Sequence, residues 1–377
     1  AGLGLIRATQ ARQIAERDAT AARQVTTFMQ NMLSSVRPDR ARGREVTVRE
    51  ILHEAATGLD GSVTADAEVD AAIRFIIGDS YQALGDFETA LPFLEEAAEI
   101  RRRELRPDDP RLINSLDVLG MVYWLTGDLQ GSLDVSWEVL ELRERSLGRD
   151  HADYTQTLGN LGNTYADMGD LEQAENLLRQ ALEIERRTLV GDDRRDLAYT
   201  TNNLATILVD REDFEEAVAL HRESNALRLE LMGEDSPENV IGLMNLGFAL
   251  YGAGQHLEAE RLLRESIVLG EEILGSDHMR VAGARIRLAE VLADTGRITD
   301  AEALGQLALA SLLDSLGDQH WRAGDAHRVL GKVMMLAGRM AEAQTESRLA
   351  LSILSAALGE THPRTLQAEK QLARIVG

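Results

Sequence analysis

Four histidines, His151, His278, His320 and His362, occupy one position of a recurring turn, where a ring nitrogen can bind a metal or relay a proton. Successive turns hold them apart rather than bring them together. The favoured reading is therefore a turn residue that bonds nearby backbone, once per turn. His53-Glu54 begins like a zinc-protease motif, but Thr57 stands where the second histidine is required. Gly191-Asp192-Asp193 is the densest acidic turn. Calcium needs more oxygens converging from one short loop, so these carboxylates read as caps and solvated charge. The chain has no Gly-rich phosphate loop and lacks the strand lysine, catalytic-loop aspartate and metal-binding Asp-Phe-Gly of phosphoryl transfer. Its only lysines are Lys332 and Lys370, and it has no cysteine, which excludes a thiol nucleophile, a zinc ribbon and a disulfide scaffold. No catalytic residue, metal or cofactor is expected. Primary amides are the stronger signal. Asn160, Asn203 and Asn245 are 43 and 42 residues apart, and Asn163 lies three beyond the first. An amide offers both a donor and an acceptor, so a row of them can bond the backbone of an extended peptide whatever its sequence. Alternatively, each bonds a neighbouring turn.

The elements that position these groups follow from a 42-residue repeat. Ala90, Ser132, Ala174, Ala217, Ala259, Ala301 and Ala343 align, with one spacing of 43 from an extra residue near Val190. Five residues earlier stand Gly85, Gly127, Gly169, Glu212, Gly254, Gly296 and Gly338. Twelve earlier stand Gly78, Gly120, Gly162, Ala205, Gly247, Ala289 and Gly331, each preceded by Leu or Ile. Each copy reads as two helices, about 110–126 and 129–147 in the second copy. The glycine between them supplies a left-handed helix end. Asp86, Asp128, Asp170 and Asp213 are expected to cap the second helix of a copy. Asp150, Asp193, Asp235 and Asp277, two residues after a second glycine, are expected to cap the next first helix. The small columns let paired helices approach closely. Aromatics are only 4% of residues, which also favours an all-α chain.

This pattern resembles the tetratricopeptide repeat. The stretch "NLGNTYADMGDLEQAENLLRQALEI" at 160–184 matches that family nearly column for column. The 42-residue period, with "LG.DH" turns at Leu147–His151 and Leu274–His278, is similar to the kinesin-light-chain subtype. The resemblance implies an all-α solenoid, a right-handed superhelix with seven repeats over 66–362. Residues 363–377 then form a terminal helix whose Gln367, Glu369, Lys370 and Arg374 suit a polar end cap.

In that fold the first helices line a concave groove. The groove residues named by the repeat register are Asn160, Asn163, Asn203, Asn245 and Phe248, with Trp124 and Tyr251 placed to accept apolar side chains. Of the family's carboxylate clamp, Asn163 and Asn203 match the two asparagines, but Gly159, Ile241 and Asn245 fill its basic positions. Without cations a terminal carboxylate loses its charge-assisted bonds, so that ligand is rejected. Glu185 reads as a surface position.

Residues 1–59 differ. A helical period over about 7–35 is broken by "RPDRARG" at 37–43, and Thr47 with Glu50 forms a capping box for a helix to about Gly58. The block at 28–59, "FMQNMLSSVRPDRARGREVTVREILHEAATGL", is similar to the juxtamembrane region of bacterial membrane serine/threonine kinases. That resemblance implies a kinase domain and a membrane anchor upstream of residue 1, with Ala1–Ile6 as the end of the span. A frayed helix start is the alternative for those six residues, and no apolar run reaches the roughly 18 residues of a span. Starting at Ala1 is read as a processed or truncated piece. The repeats would be extracytoplasmic if kinase-linked and cytoplasmic if the chain is a free-standing adaptor. Net charge is −23, and residues 1–59, with nine arginines and six acids, leave −26 for the rest. A body this acidic repels phosphate backbones, so nucleic acid is not expected as a partner and a peptide or protein is.

Overall fold

The structure, a computed structural model, describes residues 20, 23–30, 47–59 and 66–376. The chain divides into two compact units, Ala1–Gly148 and Arg149–Gly377. Among the described residues no helix is long and apolar enough to cross a membrane.

The first unit holds helical residues 23–30, then α1 (Val48–Leu59), α2 (Ala67–Ala83), α3 (Phe87–Glu104), α4 (Pro110–Thr126) and α5 (Leu129–Ser146). The rest of the helix expected over 7–35, the break at 37–43 and Ala1–Ile6 lie outside the described residues. Thr47 and Glu50 form the expected reciprocal box: the Thr47 N–H donates to Glu50 Oε2 at 3.0 Å and the Glu50 N–H to Thr47 Oγ1 at 3.2 Å. Leu52 is buried in one core with Ile77, Leu94 and Leu116, and Val25 and Phe28 pack against it. α2 pairs with α3 and α4 with α5.

The second unit stacks five helix pairs and a terminal helix. The pairs are α6 (Ala152–Asp167) with α7 (Leu171–Thr188), α8 (Arg194–Asp210) with α9 (Phe214–Met232), and α10 (Pro237–Gly252) with α11 (His256–Leu274). Then come α12 (Met279–Asp294) with α13 (Ile298–Leu316), α14 (Trp321–Leu336) with α15 (Met340–Leu358), and α16 (Pro363–Val376). One core of leucine, alanine and valine, including Leu204, Leu250 and Val291, runs through the pairs. The extra residue near Val190 is absorbed as a short 3-10 turn, Gly191–Asp193.

The glycine columns act as expected. Gly85, Gly127, Gly169, Gly254, Gly296 and Gly338 all have positive φ, and Glu212 takes the same conformation at φ 64. Glu212 is the one non-glycine there among the described residues, which costs about 1–2 kcal/mol. At Gly162 an added Cβ would lie 2.8 Å from Leu178 Cγ, so glycine sets how closely α6 and α7 approach. Where the same column carries Ala205 or Ala289, the facing residue four beyond the small column is His221 or Gly305 instead of leucine.

The caps divide. Asp128 accepts the Gly131 N–H and Asp170 the Gln173 N–H, whereas Asp86 and Asp213 make no side-chain cap bond. The expectation for Asp150, Asp193, Asp235 and Asp277 fails. The turn takes one more residue, which puts His151, Ser236 and His278 at the cap position. Asp193 flanks α8 but makes no cap bond. The histidine Nδ1 atoms of His151, His278, His320 and His362 accept the N–H two residues on at 3.1–3.2 Å. The histidine column is therefore a row of N-caps, in agreement with the backbone-bonding reading.

On the outer face of the second unit, ion pairs join successive second helices. Arg179–Glu216 and Arg186–Glu223 link α7 to α9 at 2.7 Å, and Arg222–Glu258 links α9 to α11 at 3.1 Å. Arginines in the turn before a second helix reach back as well: Arg211 to Glu175 at 2.8 Å, Arg297, at the head of α13, to Glu260 at 2.7 Å, and Arg339, at the head of α15, to Glu302 at 2.8 Å.

Candidate functional site

Consecutive first helices of the second unit lie side by side, and their asparagines meet. Asn245 Nδ2 on α10 donates to Asn202 Oδ1 on α8 at 3.1 Å. Asn202 Nδ2 donates to Asn203 Oδ1 at 3.3 Å, and Asn203 Nδ2 donates to Asn163 Oδ1 on α6 at 3.1 Å. The result is a relay of four amides across three repeats. Each amide can make more bonds than the relay uses, so donors and acceptors remain along the strip. Asn160, one turn before Asn163, is exposed, and its side chain takes no part in the relay. The amides thus bond one another, not the neighbouring turns.

At its Asn245 end the relay enters a cavity of about 260 Å³. Three guanidiniums, from Arg287 on α12, Arg322 on α14 and Arg364 on α16, line it. Each sits over an aromatic face. The Arg287 carbon lies 3.9 Å from the Phe248 ring centre, and Arg322 and Arg364 lie 4.9 and 4.7 Å from Trp321. Burial and mutual repulsion lower the Arg322 pKa, with Arg364, Arg280 and Arg287 the repelling charges. None of the three donates a hydrogen bond to a carboxylate among the described residues. Arg287 and Arg364 approach Asp325 Oδ2 only to 3.5 and 3.7 Å, and Arg287 lies 3.8 Å from Glu290 Oε2. Arg322 has no carboxylate within ion-pair range among the described residues.

The acids here are committed elsewhere or shifted. Asp325 Oδ1 accepts Arg328 Nε at 2.8 Å, and Glu290 takes the other two arms of Arg328 at 3.1 and 3.2 Å. Burial opposes the Glu290 charge, yet Arg328, Lys332 and Arg287 outweigh it and hold the carboxyl at about 2. Asp210, also lining the cavity, is pushed upward by burial despite Arg364 and Arg287. His221, likewise in the lining, is 1% exposed and has a buried Nδ1 with no hydrogen-bond partner. Burial, then the charge of Arg228, lowers its pKa to about 3, so the ring is neutral.

Of the residues named from the sequence, Asn160, Asn163, Asn203, Asn245, Phe248 and Tyr251 stand on α6, α8 and α10, while Trp124 is exposed on α4 of the first unit. Tyr251 does not present a free aromatic face. Its ring lies 5.9 Å from Phe248 and 5.6 Å from His256, with Lys332 Nζ 5.6 Å from its centre, while its hydroxyl accepts from Lys332 at 2.9 Å and donates to Asp294. Sequence reasoning missed Asn202, one residue outside the counted column, and the arginines of the cavity. Arg322 and Arg364 stand 42 residues apart, each two after a capping histidine, and Arg287 stands 42 after Asn245; those spacings were the available signal.

A tetratricopeptide-repeat profile matches residues 70–136, 137–187, 196–267 and 239–314, more than half of the chain. Among curated proteins, none matches significantly. Among solved structures, a Rap protein complexed with Competence and Sporulation Factor superposes with a TM-score of 0.55 at 15% identity, covering 95% of this chain and 98% of that one. The apo form of the quorum sensor NprR from B. thuringiensis gives 0.54 at 12% identity over 96% and 100%. A kinesin light chain of Podosopora anserina, with nearly identical TPR-like repeats, gives 0.48 at 21% identity over 56% and 99%. These likenesses concern the fold.

Proposed function

Since the chain belongs to the tetratricopeptide repeat family, we propose that its second unit is a non-catalytic scaffold that holds an extended peptide, or an extended segment of a partner protein, along its first helices. The observation that carries this reading is the amide strip of Asn163, Asn203, Asn202 and Asn245, with exposed Asn160 beside it. Such a strip can pair with peptide N–H and C=O groups in either direction and with little regard to sequence. Support by analogy of fold comes from the Rap protein, solved in complex with a factor, and from NprR, a quorum sensor.

Asn160 gives the cleaner test, because the relay does not use it. A displayed library of unphosphorylated peptides would supply binders, and calorimetry would rank variants. Asn160→Ala should weaken binding by about 0.5–1.5 kcal/mol and move stability by less than about 0.5 kcal/mol. Asn203→Ala should weaken binding and also lower the melting midpoint, since it breaks the relay. Selected peptides that bind both variants like wild type would refute the amide strip as the site.

The finer reading makes the array the extracytoplasmic arm of a bacterial membrane serine/threonine kinase, and it rests on the block at 28–59. A free-standing adaptor of the kinesin-light-chain type is the alternative. The coding sequence upstream of Ala1 decides between them: a span preceded by kinase motifs supports the first, and an initiator Met directly upstream overturns it.

A further inference from the structure

Three arginines that face one cavity without hydrogen-bonded acids are an unusual commitment for a chain of net charge −23. Arg287, Arg322 and Arg364 come from three successive first helices, so their forks enter the cavity from three different elements. Each guanidinium lies over the Phe248 or Trp321 ring, and none of its N–H groups donates a hydrogen bond to a carboxylate among the described residues. The charge count is also uneven. The lining carries three guanidiniums against the two carboxylates of Asp325 and Asp210, and Oδ1 of Asp325 is taken by Arg328. A second, independent sign is His221, a buried ring in the same lining with an unpartnered nitrogen. Buried polar atoms are rarely left without partners unless something else supplies them.

We infer that this cavity is a binding site for a phosphoryl group, either on a peptide side chain or on a small phosphorylated molecule. Three converging forks match the three terminal oxygens of a phosphate monoester, whereas a carboxylate has only two oxygens in one plane. A monoester at neutral pH carries about 1.5 to 2 negative charges, which lets it engage more than one of the guanidiniums at once. The cavity, at about 260 Å³, holds the group together with part of its carrier. A peptide carrier places the amide strip next to the phosphoryl group, because Asn245 borders the cavity. The inference leans on the peptide reading only for that carrier; the phosphoryl group itself does not require it.

The experiment is calorimetric titration of the full chain at constant ionic strength. The probes are inorganic phosphate, acetate, and the capped tripeptide acetyl-Gly-Ser-Gly-amide with and without phosphate on its serine. Phosphate should bind saturably and at least about tenfold more tightly than acetate. Losing one charge-assisted contact in Arg322→Gln or in Arg364→Gln should weaken phosphate on the order of tenfold to a hundredfold. Arg261→Gln, which removes an exposed pair with Glu265, should change nothing. Arg322 has no ion pair to orphan, so its variant should keep the wild-type melting midpoint, and Arg364→Gln gives an independent second loss. Tighter binding of the phosphorylated tripeptide than of phosphate identifies a peptide source, and weaker binding identifies a free phosphorylated molecule. Equal or tighter binding of acetate overturns the inference, as does the absence of saturable phosphate binding or wild-type affinity in both arginine variants. None of these results bears on the amide strip, which is tested with unphosphorylated peptides.

Discussion

Glu185 offers the sharpest test of the packing between repeats, because a carboxyl is buried there without a cation. The side chain is 1% exposed. Thr200 Oγ1 donates to Oε1 at 3.1 Å, while Oε2 is buried without a partner. The corresponding positions of neighbouring repeats hold Arg101, Arg143 and Arg228, all buried. Desolvation raises the Glu185 pKa from 4.5 to about 7. The sign follows from the proton count. Between those two values the unfolded chain has released a proton that the folded chain keeps, so folding stability falls as pH rises. A shift of that size corresponds to about 3 kcal/mol, at about 1.4 kcal/mol per unit. Above about pH 7 both states are ionised and the loss is complete. Glu185→Gln keeps the shape and an oxygen for Thr200 but removes the titration. At pH 5 the variant should match wild type to within about 1 kcal/mol, allowing for one amide donor left without a partner. At pH 8 it should be more stable by about 2–3 kcal/mol. The assay is urea unfolding followed by circular dichroism at several pH values, reading the difference between the two proteins. That difference matters because His362, lowered to about 4, pulls the other way, losing stability as pH falls from 6.5. A difference that does not change with pH would refute the reasoning and place Glu185 in contact with water.

Two backbone predictions use the repeat columns directly. Glu212→Gly relieves the left-handed strain and should stabilise the chain by about 1 kcal/mol, seen as a higher midpoint in thermal melts. Gly162→Ala drives a methyl group to 2.8 Å from Leu178 Cγ and should cost about 1–3 kcal/mol. At Gly120 the nearest side-chain atom to a new Cβ is Ser136 Oγ at 3.5 Å, so Gly120→Ala should be neutral or stabilising by up to about 1 kcal/mol. A matched melt of the two alanine variants checks the contrast, and equal midpoints would count against the register.

The fold was legible because its determinants are local and repeated: glycine where a helix ends left-handed, and a small residue where two helices touch. Apart from the exact cap residue, what escaped involved neighbours a full repeat away. Glu185 looks like an ordinary acid in the last turn of a helix until Thr200 of the next repeat covers it. Asp150 and Asp277 look like caps, but the turn needs one more residue before the helix begins. The amide row was visible as a column, yet Asn202, adjacent to it in sequence, completes the relay because two neighbouring positions of each first helix face the next helix. Of the cavity arginines, Arg322 and Arg364 stand 42 residues apart and Arg287 stands 42 after Asn245, but that they meet in one cavity depends on three helices from successive repeats.

The outer ion pairs give the second unit a mechanical centre at α11. α11 supplies the acid on both sides, Glu258 toward Arg222 and Glu260 toward Arg297. The rungs therefore form a truss braced on its middle member instead of a chain of equal links. Each tie crosses a repeat boundary, so it resists splaying of adjacent repeats more than unfolding of any one. Added salt weakens exposed ties of this kind. The unit accordingly becomes more compliant in bending as ionic strength rises while its apolar core is unchanged, and any groove on the opposite face widens and narrows with that flexing.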